Sequence, residues 1–456
     1  MSPPEEDLYP LQDRIHTSNH SLNSSPNNDK DNKIDPPSPD VEKNPPQSSS
    51  PWAASPPPDG GLAAWSVVVG AWCSLFCSFG WINSIGIFQT YYETTLLEGY
   101  STSTIAWIPS LEVFFMFFMG PIVGTLSDRL GARIVIIAGA FLHVFGLMMA
   151  SVSTEYYQIL LSQGVCSAMG LCAIFQPSMS SIPSWFDQKR GAAYGIVASG
   201  SSVGGIVFPI MVSRLIDQVG YGWAMRIAAF LILGLLVVMC LTVRTRTPPS
   251  KQQMDKEALL RPYRDVRMMF LVSGFVLLTF GVFIPVDYLE TSALADGMSA
   301  DLAQYLLAML NAGSLFGRMG AGAFSDKVGP YNIFVVVCTI TGILVLALWI
   351  PATSNAGNIV FGILFGITSG AYFSLSAALV AKIAPLREIG YWTGVLFLFA
   401  SIGGLTTNPI AGAILQHDNG SYVGMKVYSG VFLLAGSVFV LMTRVRQTGW
   451  VLKAKC

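Results

Sequence analysis

The sequence predicts an all-α integral membrane protein with twelve transmembrane helices in two six-helix bundles. Three observations predict this fold: an excess of apolar residues, a series of long runs almost free of charge, and a charged motif that recurs after 198 residues. Of the 456 residues, 52% are hydrophobic and only 12% are charged, whereas a soluble domain carries about 25% charged residues. The chain therefore has too little charge to cover a water-exposed surface.

Twelve apolar runs are long enough to cross a bilayer, which takes about 20 residues per helix. Most of them contain no Asp, Glu, Lys or Arg, but the second contains Glu112 and the eighth contains Arg318. A polar stretch at 351–358 separates the ninth from the tenth. The predicted spans are 66–88, 103–126, 134–152, 156–186, 191–213, 227–243, 268–286, 302–325, 328–350, 359–381, 389–417 and 427–443.

The distribution of Lys and Arg predicts the orientation of these spans. These residues are concentrated in alternate connections, and such connections face the cytoplasm. Both termini are therefore predicted to be cytoplasmic, with a disordered tail at 1–58 that is too polar to build a core. The tail has no signal-peptide core, so the first span is the expected targeting signal. The remaining predicted parts are a first bundle at 59–244, a linker at 245–266, a second bundle at 267–446 and a short tail at 447–456.

Several other classes of protein are disfavoured. The net charge of −1 offers no basic surface for nucleic acid. The seven cysteines form no CxxC pair, so neither a disulfide framework nor a zinc site is expected. The sequence lacks the phosphate-binding G-x-x-x-x-G-K-[ST] loop, H-E-x-x-H and G-x-S-x-G. We therefore expect no enzyme activity, no cofactor and no metal.

Two pairs of motifs share one spacing. "GTLSDRLGAR" at 124–133 is echoed by "GAFSDKVGP" at 322–330, and "GIVASGSSVGG" at 195–205 is echoed by "GVLFLFASIGG" at 394–404, with offsets of 198 and 199 residues. Nearly equal offsets for two unrelated motifs indicate a duplicated six-helix unit. Parallel halves of this kind build transporters whose binding site lies near the bilayer midplane, between the repeats.

These motifs carry a resemblance to a known family. "GTLSDRLGAR" resembles the cytoplasmic loop signature of the major facilitator superfamily. "PDGGLAAW" at 58–65 and "WFDQKRGAAYGIVASG" at 185–200 resemble the monocarboxylate porter family within it, and fungal members in particular. The resemblance covers residues 58–446. The residues that match these two family motifs are Asp59, Gly60, Gly61, Trp65, Trp185, Phe186, Lys189, Arg190, Gly195 and Gly200.

The resemblance implies a gating role for the repeated loop. In the superfamily, its Asp and Arg lock the cytoplasmic ends of helices together while the transporter faces outward. The matching residues are Gly124, Asp128, Arg129, Gly131 and Arg133 in the first copy, and Asp326, Lys327 and Gly329 in the second. The alternative is that these are ordinary cytoplasmic loop charges beside turn glycines. The glycines of the fifth and eleventh spans are predicted to allow close helix packing.

Arg318 is the clearest charge inside a span. A charge at the bilayer centre costs about 2.5–3.5 kcal/mol on insertion scales, so it is expected to have a partner or a function. In the monocarboxylate porters an arginine at this position contacts the substrate carboxylate, and the resemblance implies the same contact here. The alternative is an arginine whose side chain reaches the cytoplasmic interface.

Other polar residues within the spans are weaker candidates. Glu112 is either a group for proton coupling or a neutral acid bonded to a neighbouring helix. His143 is predicted to be a hydrogen-bonded core residue. The remaining candidates for lining the substrate cavity are Asn83, Asn311, Ser314, Tyr372 and Asn408.

Two of these positions depart from the proton-coupled lactate carriers of the family. Asn83 stands where those carriers have a lysine, and Ser314 stands where they have an aspartate. Both members of their proton and substrate relay are therefore missing. The resemblance does not predict a standard lactate–proton symporter.

The function predicted from the sequence is secondary active transport of a small organic solute, either monocarboxylate-like or another organic anion, by alternating access. Export of a fungal secondary metabolite is the first alternative, and a non-transporting membrane sensor on the same fold is the second. The expected partners are the solute, co-transported protons and the lipid bilayer, with a single chain as the transport unit. The plasma membrane is favoured over the vacuolar membrane, and Asn419 is a candidate glycosylation site in an outer loop.

Overall fold

A computed structural model describes residues 57–246 and 255–451. The predicted disordered tail falls almost entirely outside the described residues. So do residues 247–254 of the predicted linker and the last five residues of the chain.

Twelve long helices make up most of the described chain. Their bounds are α1 Leu62–Leu96, α2 Thr102–Leu130, α3 Ala132–Ala150, α4 Tyr156–Ser184, α5 Arg190–Val219, α6 Tyr221–Thr242, α7 Val266–Ala295, α8 Leu306–Val328, α9 Pro330–Trp349, α10 Asn355–Ala381, α11 Ile389–His417 and α12 Val423–Thr448. Eleven of these described helices are long and apolar enough to cross a membrane. The other is α8, which corresponds to the eighth predicted span and is made less apolar by residues such as Asn311, Ser314 and Arg318.

Several helices are longer than the charge-free runs from which they were predicted. The predicted seventh span ends at residue 286, but α7 continues to Ala295 and so contains Asp287 and Glu290. Both α5 and α7 have 30 residues, a length of about 45 Å at 1.5 Å per residue. The hydrocarbon core is only about 30 Å thick. The ends of such helices therefore reach water, where charged residues are tolerated, and a count of uncharged residues underestimates the helix.

The two halves meet along two pairs of helices. α2 packs against α11, and α8 packs against α5. Counted within each half, the second helix of one half meets the fifth helix of the other in both cases. This reciprocal pairing agrees with the duplication that the motif spacing predicts.

α1 is the most irregular of the twelve helices. It contains two π-helical segments, Phe76–Gly80 and Tyr92–Leu96, and a turn at residues 83–84 interrupts it. The amide of Asn83 donates to the carbonyl of Phe79 at 2.7 Å beside this interruption. Short π-helical segments are rare and occur frequently at functional sites. Here the first segment carries Phe79 into the interface between the halves.

The described part of the linker forms a short helix, Lys256–Arg264. It lies against the start of α11, where Arg261 forms an ion pair with Glu388 at 3.0 Å. The hydroxyl of Tyr391 also donates to the carbonyl of Leu259 at 2.9 Å. The linker is therefore attached to the same helix end that contacts the N-terminal half.

Glycines allow the helices of each bundle to pack closely. A Cβ atom built on Gly366 of α10 would lie 2.0 Å from the carbonyl oxygen of Leu310 in α8. Gly234 of α6 is exposed, and nothing lies within 4 Å of a Cβ atom built there. The two positions are both helical, so they differ mainly in the space available.

Gly366→Ala should lower the thermal unfolding temperature of the purified protein in detergent, because the added methyl group forces α8 and α10 apart. Overpacking of this kind typically costs about 1–3 kcal/mol. Gly234→Ala is the matched control, since both substitutions gain the same helix propensity. Equal unfolding temperatures in the two variants would contradict the close approach of α8 and α10.

Candidate functional site

A narrow cavity lies between the two halves, about midway along the helices. Its wall is dominated by aromatic rings contributed by both bundles, and few polar groups line it. The lining residues are Leu75, Phe79, Phe117, Phe175, Met179, Ala198, Ser201, Phe275, Tyr372, Phe373, Ser376 and Phe397. The wall of the cavity is therefore largely apolar.

Three ring contacts cross from one half to the other at this cavity. Phe117 of α2 and Phe397 of α11 stack with an interplanar angle of 6° and centroids 5.3 Å apart. Phe175 meets the same Phe397 edge to face at 5.3 Å. Phe79 of α1 meets Phe373 of α10 at 5.7 Å and 64°. These are favourable aromatic geometries, so the rings help hold the halves together where the cavity narrows.

Arg318 of α8 lies beside this cavity. Its side chain is 6% exposed, so it does not extend to the cytoplasmic interface. Its Nε donates to the hydroxyl of Ser314 at 2.9 Å, and its Nη1 donates to the carbonyl of Ala198 at 2.9 Å. The guanidinium also lies over the ring of Phe373, 5.1 Å from the centroid. Ser314 thus orients the arginine without neutralising its charge.

No carboxylate pairs with Arg318 among the described residues. Its Nη2 makes no hydrogen bond within the described part of the chain. A buried cation without a counter-ion is expensive in a membrane protein. The arrangement therefore leaves a positive charge available to an anionic group in the cavity.

Two other predicted cavity residues, Tyr372 and Asn311, are bound to protein partners. Tyr372 lines the cavity, and its hydroxyl lies 2.7 Å from the hydroxyl of Thr279. Asn311 of α8 donates to the side-chain oxygen of Asn83 in α1 at 3.0 Å, which joins the two halves. A Cβ atom on Gly205 of α5 would lie 2.8 Å from the Asn311 amide. Asn83 and Asn311 therefore form an interhelical contact rather than part of the cavity wall.

Glu112 is fully buried inside the N-terminal bundle and does not line the cavity. Its Oε1 accepts a hydrogen bond from the indole of Trp81 at 3.2 Å, and its Oε2 accepts one from the amide of Gln163 at 3.0 Å. The chain of hydrogen bonds continues from Gln163 to the hydroxyl of Tyr92 at 2.6 Å and on to Tyr221 at 3.1 Å. Glu112 thus ties together α1, α2 and α4.

His143 occupies a similar position in the same bundle. It is fully buried, and its Nδ1 lies 2.8 Å from the hydroxyl of Ser167. The other ring nitrogen, Nε2, has no hydrogen-bond partner among the described residues. This placement agrees with the predicted core histidine and puts it outside the cavity.

Sequence reasoning missed Asp287 of α7. The residue is exposed although it lies well inside a long helix, and the side-chain amide of Asn408 in α11 faces its carboxylate. The hydroxyl of Tyr288 donates to the Asn408 carbonyl at 3.3 Å. Asp287 follows directly after the charge-free run, so its charge was taken as the end of the span. The sequence carries no signal for its proximity to Asn408, because only the folded chain brings the two residues close.

The repeated loop places one carboxylate on a helix of the opposite half in each copy. Asp128, at the end of α2, accepts a hydrogen bond from the backbone amide of Tyr391 in α11 at 2.9 Å. Asp326, at the end of α8, accepts from the amides of Gly191 and Ala192 in α5 at 2.7 and 2.9 Å. The first amides of a helix have no partner within the helix, and negative charge is stabilised there.

Close backbone approach makes these contacts possible. A Cβ atom on Gly390 would lie 2.6 Å from the Asp128 carboxylate, and one on Gly124 would lie 2.2 Å from the Gly390 carbonyl oxygen. Gly131 ends α2 with φ +88° and allows α3 to begin at the next residue. The equivalent Gly329 has φ +104°. A side chain at Gly124 or Gly390 would separate the Asp128 carboxylate from the start of α11.

The cations of the loop behave differently from its carboxylates. Arg129, Arg133 and Lys327 form no ion pair with any described residue. The Nε of Arg129 is buried without a hydrogen-bond partner among the described residues. Among the described residues, the contacts between the halves at this end therefore include carboxylates that accept from backbone amides, and the side-chain amide of Gln176, which donates to the Gly390 carbonyl at 2.9 Å.

The sequence motifs at residues 58–65 and 185–200 contact each other. Oδ1 of Asp59 accepts hydrogen bonds from the backbone amides of residues 187, 188 and 189 at 2.7, 2.8 and 3.2 Å. Trp65 packs edge to face on Phe186 with centroids 5.3 Å apart. Gly61, with φ +86°, leads from Asp59 into α1, while Gly60 lies in open space. The first motif thus shapes the loop that leads into α5, next to the amides that bind Asp326.

The later positions of the second motif belong to α5 and its approach. Arg190 pairs with Asp187 at 3.0 Å, and the indole of Trp185 donates to the Arg244 carbonyl at 2.7 Å. A Cβ atom on Gly195 would lie 2.6 Å from the Arg318 carbonyl oxygen, and one on Gly200 would lie 2.4 Å from that of Trp72. Lys189 precedes the first residue of α5. The helices therefore approach closely at both glycines.

Asn419 is exposed in the short turn between α11 and α12 and has φ +53°. Its glycosylation stays a prediction. Among the described residues, no group of three His, Cys, Asp or Glu side chains could hold a metal ion.

Comparisons with known proteins agree with this architecture. The sequence profile of the Major Facilitator Superfamily matches residues 70–361 and 297–452. The fold is similar to that of the fucose:proton symporter FucP of E. coli, with a TM-score of 0.65 at 17% identity over 82% of this chain and 98% of that one. It is also similar to the human organic anion transporter MFSD10, with a TM-score of 0.64 at 14% identity over 83% and 98% of the two chains.

Curated relatives from fungi are much more similar in sequence. "MFS transporter asaE" of Aspergillus flavus is 58% identical over 97% of this chain and 100% of its own length. "Fujikurins efflux protein" of Gibberella fujikuroi is 52% identical over 86% of this chain and 84% of its own. "Aspyridones efflux protein apdF" of Emericella nidulans is 39% identical over 84% and 78% of the two chains. The chain belongs to the major facilitator superfamily and is a multi-pass membrane transporter of small-molecule solutes.

Proposed function

We propose that this transporter exports a small organic acid, a fungal secondary metabolite, across the plasma membrane by alternating access. The observation that carries the proposal is the similarity over most of the chain to two proteins named as efflux proteins, at 52% and 39% identity. This favours the efflux alternative over uptake of a monocarboxylate-like solute. The aromatic cavity supports the same choice, because it is too apolar for a small hydrophilic acid such as lactate.

Arg318 is the group that we expect to recognise the acid. It lies beside the cavity, it is buried, and no described carboxylate neutralises it. Hydrogen bonds to Ser314 and Ala198 hold two of its nitrogens. An anionic group in the cavity would supply the missing counter-charge, and charge-assisted hydrogen bonds of this kind are about twice as strong as neutral ones.

The gating role of the repeated loop follows from its contacts between the halves. Asp128 and Asp326 each hold the start of a helix in the opposite half. With alternate basic connections in the cytoplasm, both contacts lie at the cytoplasmic side and close it. Rocking of one half against the other would break both together, as in other transporters with two discrete states.

Three finer features belong to the same proposal. The resemblance of residues 58–65 and 185–200 to monocarboxylate porter motifs supports a place near that branch. Both halves of the cavity come from one chain, which favours a monomeric transport unit. Proton coupling through Glu112 stays a prediction. That residue lies in the N-terminal bundle and not at the cavity.

Deletion of the gene should trap a metabolite inside the producing fungus and reduce it in the medium. Untargeted profiling of cells and medium, with and without the gene, measures this. Restoring the gene should restore release. A nutrient left unused in the medium, with no compound retained in the cells, would contradict export and favour uptake.

Arg318→Gln should reduce export of that compound at least about tenfold, since a charged hydrogen bond contributes about 1.5–3 kcal/mol and 1.4 kcal/mol is a factor of ten. Export is measured as the initial rate of release from the complemented deletion strain. Arg226→Gln is the matched control, because Arg226 also donates to a serine, Ser151, and also lies over an aromatic ring, that of Trp223 at 5.1 Å. Equal rates for the two variants would exclude Arg318 as the recognition group.

Asp128→Ala should speed hydrogen–deuterium exchange at the start of α11, because the amide of Tyr391 loses its acceptor. We expect about tenfold or more, from the contribution of a charged hydrogen bond. A gate that opens as one unit also predicts faster exchange at Gly191 and Ala192, although Asp326 is unchanged. Asp217→Ala, at an exposed position near the end of α5, should change neither region. A change confined to α11 would indicate a local helix cap and contradict the gate.

A further inference from the structure

The aromatic side chains that line the cavity differ in their exposed fraction. Phe117, Phe175 and Phe397 are buried, at 2%, 1% and 8% exposed. Phe79 and Phe373 are only half-buried, although both lie in the interior between the bundles. Since both line the cavity, their exposed surface faces the space in which a solute would lie.

Hydrogen-bond donors in the cavity wall are already used. The hydroxyl of Ser201 donates to the Ala198 carbonyl at 2.7 Å, and that of Ser376 donates to the Phe373 carbonyl at 3.3 Å. Thr279 donates its own hydroxyl hydrogen to Phe275, so the Tyr372 hydroxyl donates to Thr279. Apart from Arg318, the described wall therefore offers a solute aromatic surface rather than hydroxyl donors.

Phe79 and Phe373 lie where a single solute could contact both halves of the protein. The two rings belong to opposite halves and meet edge to face at 5.7 Å. Phe373 is also the ring over which the Arg318 guanidinium lies. A solute placed between them would contact both halves and the arginine at once.

We propose that the solute carries a planar conjugated ring, which inserts between Phe79 and Phe373 while its acidic group meets Arg318. This inference rests on the proposed export of an organic acid and names the class of that acid. Insertion exchanges one ring contact between the halves for two contacts between the solute and the protein. Aromatic pairs gain stability beyond the area that they bury, so a flat conjugated ring is preferred over a saturated ring with the same carbon skeleton.

The ring contact also connects binding to the transport cycle. Phe79 lies on the π-helical segment Phe76–Gly80 of α1, and Phe373 lies on α10 of the other half. Rocking of the halves changes the distance between these two helices. The ring clamp, defined as Phe79 and Phe373, therefore holds the solute only while the halves are close, and releases it when they separate.

Equilibrium dialysis of the purified full-length protein tests the clamp with two probes of matched skeleton. One is 1-naphthoate, and the other is decahydronaphthalene-1-carboxylate, which has the same carboxylate and a saturated ring system. The wild-type protein should bind the naphthoate at least about threefold more tightly, which corresponds to the usual gain of one aromatic pair. Phe79→Leu and Phe373→Leu should remove this preference and leave binding of the saturated probe within about twofold, since leucine keeps an apolar surface of similar size.

Two further variants separate the clamp from general packing. Phe373→Tyr retains a ring and should retain the preference. Phe141→Leu is the matched control, because Phe141 and Phe145 form a stacked pair 5.7 Å apart on α3, with Phe141 66% exposed and remote from the cavity. All variants are first compared by gel filtration and unfolding temperature. If Phe373→Leu does not fold, Phe79→Leu and Phe373→Tyr still decide the outcome.

The outcomes distinguish this inference from the proposed function. Equal affinity for the two probes, no binding of 1-naphthoate, or a preference that survives in both leucine variants would overturn the ring clamp. If export of the fungal metabolite continues and still depends on Arg318, the proposed function stands without the clamp. Loss of the proposed function would instead appear in the deletion strain, as no retained compound.

Discussion

The close backbone approach of helices from opposite halves is the constraint on which the rest of the structure depends. Where α2 meets α11, a Cβ atom on Gly120 would lie 2.7 Å from the Gly394 carbonyl oxygen. Where α5 meets α8, one on Gly322 would lie 2.8 Å from the Cα atom of Gly195. Only at such distances do the carboxylates of the repeated loop reach the opposite helices. The same approach brings the aromatic rings of the two halves into contact at the cavity.

The duplication explains why a largely apolar chain contains the same charged motif twice. Each copy ends the second helix of its half with a carboxylate, and that carboxylate binds the free amides at the start of the fifth helix of the other half. One copy alone would hold only one side of the interface. The copies are not identical in detail, because Asp326 accepts from the amides of Gly191 and Ala192, whereas Asp128 accepts from the amide of Tyr391.

Two ionisable groups buried among the membrane-spanning helices, Glu112 and Arg318, differ in their partners and positions. Glu112 is bound by Trp81 and Gln163 within one bundle, so its placement supports the bundle itself. Arg318 lies between the bundles, is held by a hydroxyl and a carbonyl, and has no counter-charge among the described residues. The difference lies in partners and position, because both groups are buried to a similar degree. The second arrangement lacks a counter-charge among the described residues, and this is why we propose that an anionic solute supplies it.

Some features of this protein were determined by the sequence itself. Apolar run length predicted all twelve helices, because a bilayer imposes the same minimum length on every span. The shared offset of the motifs predicted two equivalent halves, and Arg318 could be singled out because a charge in a span is costly. Tertiary structure alone decided that Glu112 and His143 lie away from the cavity, that Asp287 faces Asn408, and that rings from both halves meet. These depend on which face of each helix turns toward its neighbours. Local periodicity carries no information on contacts between residues far apart in the sequence, such as Phe79 and Phe373.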